Sequence, residues 1–364
     1  MHIIEFASGT LRFLDHIPER APADGFVWIY VDREALELDL PVLQHAATRL
    51  GGSPMLDLHV KDLGNRSHPS HYDYTSVYDL LIFRRLATEQ EVQAEIGPKQ
   101  GDTPLAGFSR IRTRAVGFAV FDRLLITVHP KGCYAASVFV QRYLSDAVQV
   151  EGMGGGARTR LPSGAADLML RMLNMMVDSY LELRKTLSVE MDVWQQNLLA
   201  VNSREANWGA LMSARNALHA LEDVCEEQND AVQEWLDTQR EQPPPWMQQA
   251  ELDGLLARAR DVAEHISRAM HHIQRMQESA ETAVQIHFSA LGHRTNEVMR
   301  VLTVLTAIFL PLNLIAGIFG MNFEFIPFLH QQKAFWWTLG SMVGIAVLLA
   351  LFFWRRRYLA RPSS

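Results

Sequence analysis

Residues 301–319 read VLTVLTAIFLPLNLIAGIF, a run of 19 residues without a charged side chain. In a helix that rises 1.5 Å per residue, this run spans about 28 Å, close to the thickness of the hydrocarbon core of a bilayer. A second uncharged run of 21 residues, AFWWTLGSMVGIAVLLALFFW, covers 334–354. One such run alone is also compatible with a buried core helix. Two in tandem, with tryptophans near the ends of the second, favour a C-terminal membrane hairpin.

The basic residues around the hairpin predict its orientation. Arg294 and Arg300 precede the first run, four arginines lie within 355–361, and the connecting segment 320–333 has only Lys333. Lysine and arginine are enriched on the cytoplasmic side of membrane proteins. We therefore expect both termini in the cytoplasm and segment 320–333 outside. The N-terminus has no recognisable signal peptide, and we expect a multi-pass protein of the cell (inner) membrane.

The first 150 residues have the pattern of a mixed α/β domain. Apolar runs bounded by turn residues predict strands at 26–31, 78–83, 113–121 and 124–128. Asp122-Arg123 separates the last two, which is typical of a hairpin, and helical patterns lie near 34–50 and 135–148. The net charge of -7 argues against a nucleic-acid partner, because phosphate binding needs a basic surface. Two cysteines do not indicate a disulfide framework.

Long helices follow a glycine-rich break at 151–160. Within the region 163–245, the pattern predicts one helix from the N-cap Ser163 to about 199 and another from about 204 to 240, before three prolines. No proline then occurs from 246 until Pro311. This predicts one helix of about 65–70 residues, which runs from a cytoplasmic stalk at 246–297 into the membrane. Two membrane helices cannot enclose an aqueous pore, so a conducting protein needs several chains in a closed ring.

The first apolar run ends in AGIFGMNFEFIP at 316–327, with Gly320-Met321-Asn322 at the outer end of the predicted helix. This motif in this place, with NEVMR at 296–300, Pro311 and the basic tail, resembles the signature of the CorA metal-ion transporters, to which a zinc-transporting branch is related. The resemblance is clear over roughly 290–360 of the chain. It implies a homopentamer with an α+β cytoplasmic funnel and a stalk helix. It also implies a pore helix at 298–319, an external loop at 320–333, a second membrane helix at 334–354 and a cytoplasmic tail at 355–364.

One face of the first membrane helix carries the candidate pore residues, which recur every three to four positions. They are Asn296, Met299, Leu302, Thr303, Thr306, Leu310, Asn313 and Gly317. Polar side chains in a membrane helix usually face a protein interior or a water path. By resemblance, Gly320, Met321 and Asn322 form an outer selectivity filter, and Met299 and Leu302 form an inner constriction that gates by dewetting. The alternatives are that Asn322 ends the helix, that Asn313 packs against a partner helix, and that Met299 and Leu302 are bundle core.

The intact Gly-Met-Asn motif favours Mg²⁺ influx, with Co²⁺ or Ni²⁺ as further ions. Mg²⁺ prefers oxygen ligands and sheds water reluctantly, so a ring of asparagine amides can hold its hydrated form. Glu324 is the only carboxylate of the external loop. The family commonly has a second acidic residue after the proline, where Phe328 follows Pro327 here, and this departure bears on ion preference and flux. The alternatives are Zn²⁺ transport on the same scaffold and, in another class, a membrane-anchored sensor or scaffold that conducts nothing.

Other candidate sites lie in the cytoplasmic region. Asp261 falls where the family places a regulatory carboxylate, so the resemblance implies regulatory Mg²⁺ there; Glu89 and Glu91 are further candidates. Seven carboxylates and no lysine or arginine lie within 222–237. This stretch is either a solvated helix face or a surface that attracts cations. His68 and His71, with Asp73 nearby, are spaced for a transition metal or are surface histidines. No pattern of nucleophile and base indicates an enzyme, and no cofactor is expected apart from Mg²⁺ itself.

Overall fold

A computed structural model of the chain describes residues 1–7, 10–98, 105–131, 161–199, 208–244, 247–321 and 332–355. The chain divides into two compact units, Met1–Glu281 and Thr282–Ser364. The helix predicted near 135–148, the glycine-rich break, Asn322, Glu324 and the basic tail lie outside the described residues.

The seven described strands form one mixed sheet in the first unit. They are β1 (His2–Ala7), β2 (Thr10–Leu14), β3 (Gly25–Asp32), β4 (His71–Tyr74), β5 (Asp79–Leu86), β6 (Thr113–Val120) and β7 (Leu124–His129). Their order across the sheet is β2-β1-β3-β7-β6-β5-β4. β3 and β7 pair in parallel, and the other neighbours are antiparallel. The hairpin predicted around Asp122-Arg123 is confirmed as β6–β7.

Strand β3 is buried on both faces, as its uninterrupted apolar sequence FVWIYV predicts. Val27 and Ile29 belong to one core. Phe26 and Trp28 are also fully buried, and they lie on the opposite face because successive strand side chains alternate. The indole N–H of Trp28 donates to the hydroxyl of Thr127 on β7 at 2.8 Å, which satisfies its one polar group inside the core.

The short helices α1 (Leu36–Ala46) and α2 (Asp57–Gly64) cover the first of these faces. Two further short helices are α3 (Glu89–Ile96) and α4 (Ala106–Ser109), and the Gly107 N–H of α4 donates to Glu190 of the next, long helix at 2.7 Å. Leu43 of α1 and Leu63 of α2 are fully buried in the core that contains Val27. The helix predicted near 34–50 is confirmed as α1, which a π-helical turn extends to Gly51.

Long helices cover the other face. They are α5 (Ala165–Leu199), α6 (Trp208–Glu241) and α7 (Gln249–Phe319). The Tyr180 hydroxyl of α5 donates to the Arg84 carbonyl of β5 at 2.9 Å. α5 and the first part of α7 run parallel, since pairs along them keep a similar offset, as in Asp178–His265 at 3.2 Å and Gln195–Ser279 at 2.9 Å. α7 is a single helix of 71 residues, which confirms the long helix predicted from the missing prolines.

The second unit contains the C-terminal part of α7 and helix α8 (Gln332–Arg355). Both helices are long and apolar enough to cross a membrane, and their apolar stretches are almost wholly exposed. Continuous exposed apolar surface of this size is unfavourable in water and is expected where lipid or a neighbouring chain covers it. The two helices therefore fit the predicted membrane hairpin.

Candidate functional site

The predicted pore face is an exposed surface of α7. All eight of its residues are exposed in the single chain: Asn296, Met299, Leu302, Thr303, Thr306, Leu310, Asn313 and Gly317. The run 301–319 has three polar side chains, Thr303, Thr306 and Asn313. At about 100° per residue, these three point within roughly 80° of one another. The polar groups of the apolar run therefore share one side of the helix.

A second stripe on α7 is partly or fully buried. It consists of Val304, Ala307, Ile308, Pro311, Leu312 and Ile315. The mean directions of this stripe and of the pore face differ by roughly 150° on a helical wheel. Val304 is buried, the rest of this stripe is partly shielded, and the polar stripe lies opposite. This is the pattern of a helix that packs on one side and leaves the other for neighbouring chains or water.

The two threonines of the polar stripe each donate a hydrogen bond to a backbone carbonyl of their own helix. The Thr303 hydroxyl donates to the Met299 carbonyl at 2.7 Å, and the Thr306 hydroxyl donates to the Leu302 carbonyl at 2.9 Å. A hydroxyl that has donated its proton can only accept further hydrogen bonds. The outward-facing oxygen atoms of Thr303 and Thr306 are therefore acceptors, which suits the outward-pointing protons of a hydrated cation.

Asn313 lies well inside the apolar run, about 9 Å along the helix from its end at Phe319. Within the part of the chain that the structure describes, its side-chain amide has no hydrogen-bond partner. An amide without a partner in hydrocarbon costs several kcal/mol. The Asn313 amide therefore requires a hydrogen-bond partner from water or from a neighbouring chain. A water-filled path would supply such water.

Helix α7 ends immediately before the Gly-Met-Asn motif. Its last helical residue is Phe319, and the Gly320 N–H still donates to the Ala316 carbonyl at 2.9 Å. A Cβ at position 320 would lie 2.9 Å from that same carbonyl oxygen, so a larger residue would disturb the helix end. Met321 is described and exposed. Asn322 and Glu324 lie outside the described residues, and their predicted roles stay predictions.

Asp261 belongs to a three-residue cluster on the surface of α5 and α7. One side of the His265 ring faces Asp178 of α5, with Nδ1 3.2 Å from its Oδ1. The other side faces Asp261, with Nε2 3.8 Å from its Oδ1. Asp178 and Asp261 are exposed, whereas His265 is only 20% exposed. The sequence analysis predicted only Asp261 of this cluster. His265 could also have been predicted, because it lies four residues after Asp261 and therefore one helical turn away.

The structure gives Glu91 a local role. Its carboxylate binds the buried Arg85 guanidinium at 2.8 and 2.6 Å and also accepts from the Thr88 N–H at 2.7 Å, which caps α3. Hydrogen bonds from Arg85 and Thr88 hold the pKa of Glu91 below its usual range despite partial burial. Glu89 is exposed and pairs with Arg110 at 3.0 Å. Glu91 is therefore occupied as a structural anion.

His68 and His71 do not assemble with Asp73, and His71 and Asp73 lie in strand β4 and not in the predicted loop. His68 and His71 have ring centroids 6.0 Å apart. Asp73 accepts instead from Nε2 of the buried His59 at 3.0 Å. Among the described residues, no three His, Cys, Asp or Glu side chains are grouped so that they could hold one metal ion.

The acidic stretch of α6 is mostly a solvated face. Asp223, Glu226, Asp230, Glu234 and Asp237 are exposed. Glu222 and Glu227 have internal partners: Glu222 accepts from Gln274 at 2.9 Å and Gln277 at 3.0 Å, and Glu227 accepts from the Ser70 N–H at 3.1 Å. The five exposed carboxylates lie within about 80° of helix surface.

Comparison with known proteins agrees with this architecture. The cobalt/magnesium transport protein CorA of Thermotoga maritima is 27% identical over 192 residues, which are 53% of this chain and 52% of the relative. The magnesium transport protein CorA of Haemophilus influenzae is 27% identical over 104 residues, 29% of this chain and 33% of the relative. The alignment thus spans about half or less of the length of these relatives.

Solved structures extend the likeness to the whole chain. The complete CorA magnesium transporter from Methanocaldococcus jannaschii matches with a TM-score of 0.72 over 98% of both chains, at 18% identity. The full-length CmaX protein matches with a TM-score of 0.63 over 98% of this chain and 97% of its own, at 14% identity. At these identities the likeness shows a shared fold. The sequence profile described as CorA-like Mg²⁺ transporter protein matches residues 23–357, so the chain belongs to the CorA family, a family of transporters and not of enzymes.

Proposed function

We propose that this chain is one subunit of a homopentameric channel that admits Mg²⁺ into the cell, and that Co²⁺ and Ni²⁺ also pass. The observation that carries the proposal is the polar stripe of Thr303, Thr306 and Asn313, which faces away from the buried side of an otherwise apolar helix. A membrane anchor needs no such stripe. Family membership and the names of the relatives support a divalent cation as the cargo.

The polar stripe can carry a hydrated ion without stripping its water. Mg²⁺ holds its inner water shell tightly, and those waters present protons outward. The Thr303 and Thr306 oxygens and the Asn313 amide oxygen accept such protons, and a ring repeats each acceptor around the axis. Glu324 concentrates cations at the outer mouth by electrostatic focusing. Met299 and Leu302, both exposed and apolar, form the inner constriction, which closes the path when it dewets.

Ion flux into liposomes tests the proposal. Purified protein should carry Mg²⁺ down an inward gradient, driven by membrane potential, with no requirement for a pH gradient. Zn²⁺ measured in parallel tests the alternative cargo, and flux of Zn²⁺ but not Mg²⁺ would replace the proposed ion. If verified oligomers carry no divalent cation at all, the protein is instead the membrane-anchored scaffold that conducts nothing.

The proposed orientation has a direct chemical test. In a background with Cys133→Ser and Cys225→Ala, a cysteine at Gln331 should react with a membrane-impermeant thiol reagent added to intact cells. A cysteine at Ser363 should react only after the cells are opened. Labelling of Ser363→Cys from outside, with Gln331→Cys protected, would reverse the topology. Cys225 is buried, so its replacement by alanine keeps the apolar character of the site.

We further propose that intracellular Mg²⁺ binds at Asp261, in a site that a neighbouring chain completes, and favours the closed channel. Asp261 is an exposed carboxylate beside the His265 imidazole, so it is accessible to a hydrated cation held between two chains. Binding shifts a conformational equilibrium only through its different affinity for the two states.

Asp261→Asn should therefore raise the internal Mg²⁺ concentration needed for half-closure. Coupling energies of this kind are typically about 1–3 kcal/mol, so we expect a shift of at least about fivefold. Asp253→Asn is the matched control, because Asp253 lies two turns earlier on the same helix and accepts from Gln249 within its own turn. Equal closure curves for Asp261→Asn and wild type would remove Asp261 from the regulation.

A further inference from the structure

A cavity of about 580 Å³ lies within the first unit and has no part in the proposed ion path. Its walls come from the β4–β5 and β6–β7 turns, the N-terminus of α5, the C-terminus of α6 and the start of α7. Its volume is in the usual range for small-molecule pockets, roughly 300–1,000 Å³.

Asp79 is the central polar group of this cavity. Its Oδ2 accepts from the Trp235 indole N–H at 3.2 Å and from the Gln239 amide at 2.9 Å, and its Oδ1 accepts from the Tyr72 hydroxyl at 3.2 Å. All three donors are neutral, and no lysine, arginine or histidine pairs with Asp79 in the described chain. Burial raises the pKa of Asp79 to about 6, although the three hydrogen bonds lower it. At neutral pH the cavity therefore contains an anion without a counter-charge.

The remaining charges of the cavity leave it net negative. Asp167 pairs with both Arg171 at 3.0 Å and Arg258 at 2.6 Å, so this group carries one positive charge in excess. Asp122 lies 3.6 Å from Arg123. Glu251 is exposed and has no ion pair among the described residues. Asp79 and Glu251 are thus the two carboxylates of the lining that lack a cation.

The exposed aromatic side chain of the lining is Tyr74, at 46%. Tyr78, Phe121 and Trp235 lie behind the wall and are at least 96% buried. Aromatic faces attract cations and cover methylene groups. A bare metal ion is a poorer match, because no group of three metal-ligating side chains occurs among the described residues.

We propose that this cavity binds a linear aliphatic polyamine, with one protonated amine at Asp79, another towards Glu251, and the methylene chain against the exposed ring of Tyr74. The site is separate from ion conduction, so it stands or falls independently of the proposed channel. A polyamine bound there would join α6 and α7 to the sheet, since Asp79 belongs to β5, Trp235 to α6 and Glu251 to α7.

Calorimetric titration of the full-length protein in detergent with spermidine, in the presence of excess Mg²⁺, tests the site. Asp79→Asn is nearly isosteric. Its Oδ1 can accept from Trp235 and Gln239 while its amide donates to the Tyr72 oxygen, so the fold is retained and thermal unfolding verifies this. Loss of one charged partner costs about 1.5–3 kcal/mol, so we expect spermidine to bind at least about tenfold more weakly.

Two further variants make the result decisive. Glu251→Gln, at an exposed position, should also weaken binding. Glu226→Gln removes an exposed carboxylate of α6 outside the cavity lining and should leave binding unchanged. Wild-type affinity in both Asp79→Asn and Glu251→Gln would overturn the proposal. An equal loss of spermidine affinity in Glu226→Gln would also overturn the proposal, because it indicates diffuse electrostatic binding. Displacement of spermidine by Mg²⁺ at equal concentration would do so for the same reason.

Discussion

Asn322→Ala is expected to lower Mg²⁺ uptake at least about tenfold at low external Mg²⁺. The change removes an amide oxygen from every subunit at once, because a ring repeats it around the axis. Each lost hydrogen bond to a charged species costs about 1.5–3 kcal/mol, and about 1.4 kcal/mol is a factor of ten. Even partial additivity across the ring therefore predicts a large loss. The measurement is Mg²⁺ flux in liposomes at equal, verified oligomer content.

Phe323→Ala is the matched control for this experiment, since it truncates the next residue of the same loop without removing an oxygen ligand. Asn322→Asp keeps an oxygen and adds a charge at each position. It should bind cations more tightly and slow their release, because conduction requires binding weak enough to let the ion leave. If Asn322→Ala transports like wild type, Asn322 only ends the helix.

Asn313→Leu is expected to abolish Mg²⁺ flux while the oligomer remains intact. The change removes the amide that has no partner among the described residues and places a ring of leucines in the water path. A hydrophobic ring of this kind excludes water and blocks ions. The substitution breaks no hydrogen bond within the described chain, so thermal stability in detergent should be little changed.

Ser341→Leu is the control, because it makes a similar polar-to-leucine change on α8, where the Ser341 hydroxyl donates to the Thr338 carbonyl at 2.8 Å. We expect near-normal flux from this variant. If Asn313→Leu instead conducts normally, or if its oligomer falls apart, Asn313 is a packing contact between helices and the water path lies elsewhere.

The acidic candidates show how far sequence reasoning reached in the cytoplasmic unit. Glu91 was a candidate only because it is acidic, without a pattern that specified a role. In the structure it binds Arg85, a residue that the turn between β5 and α3 brings back to it. No sequence pattern predicted a role for Asp178, although it contacts His265, which lies 87 positions away in the chain. The pairing depends on the parallel packing of α5 and α7, which no local pattern specifies.

The sheet also shows that local patterns predict single elements but not the contacts between distant ones. The strands at 26–31, 78–83, 113–121 and 124–128 were predictable, because a buried strand shows a run of apolar residues. The strands β1, β2 and β4 were missed, since short, half-exposed strands at or beside a sheet edge have a weak pattern. The parallel pairing of β3 with β7 brings together residues almost 100 positions apart and needed the tertiary structure.

The sequence by itself determined the membrane hairpin, one long helix that runs into it, and the Gly-Met-Asn motif that follows this helix. These features are local, because a helix in lipid satisfies all its backbone hydrogen bonds within one segment and must be apolar over about 20 residues. Only the tertiary structure decided the order of the sheet, the cluster around His265 and the cavity at Asp79. Each of these requires contacts between distant segments, such as Asp79 with Trp235, 156 positions apart. Their formation depends on how whole elements pack, which the pattern of a single element does not record.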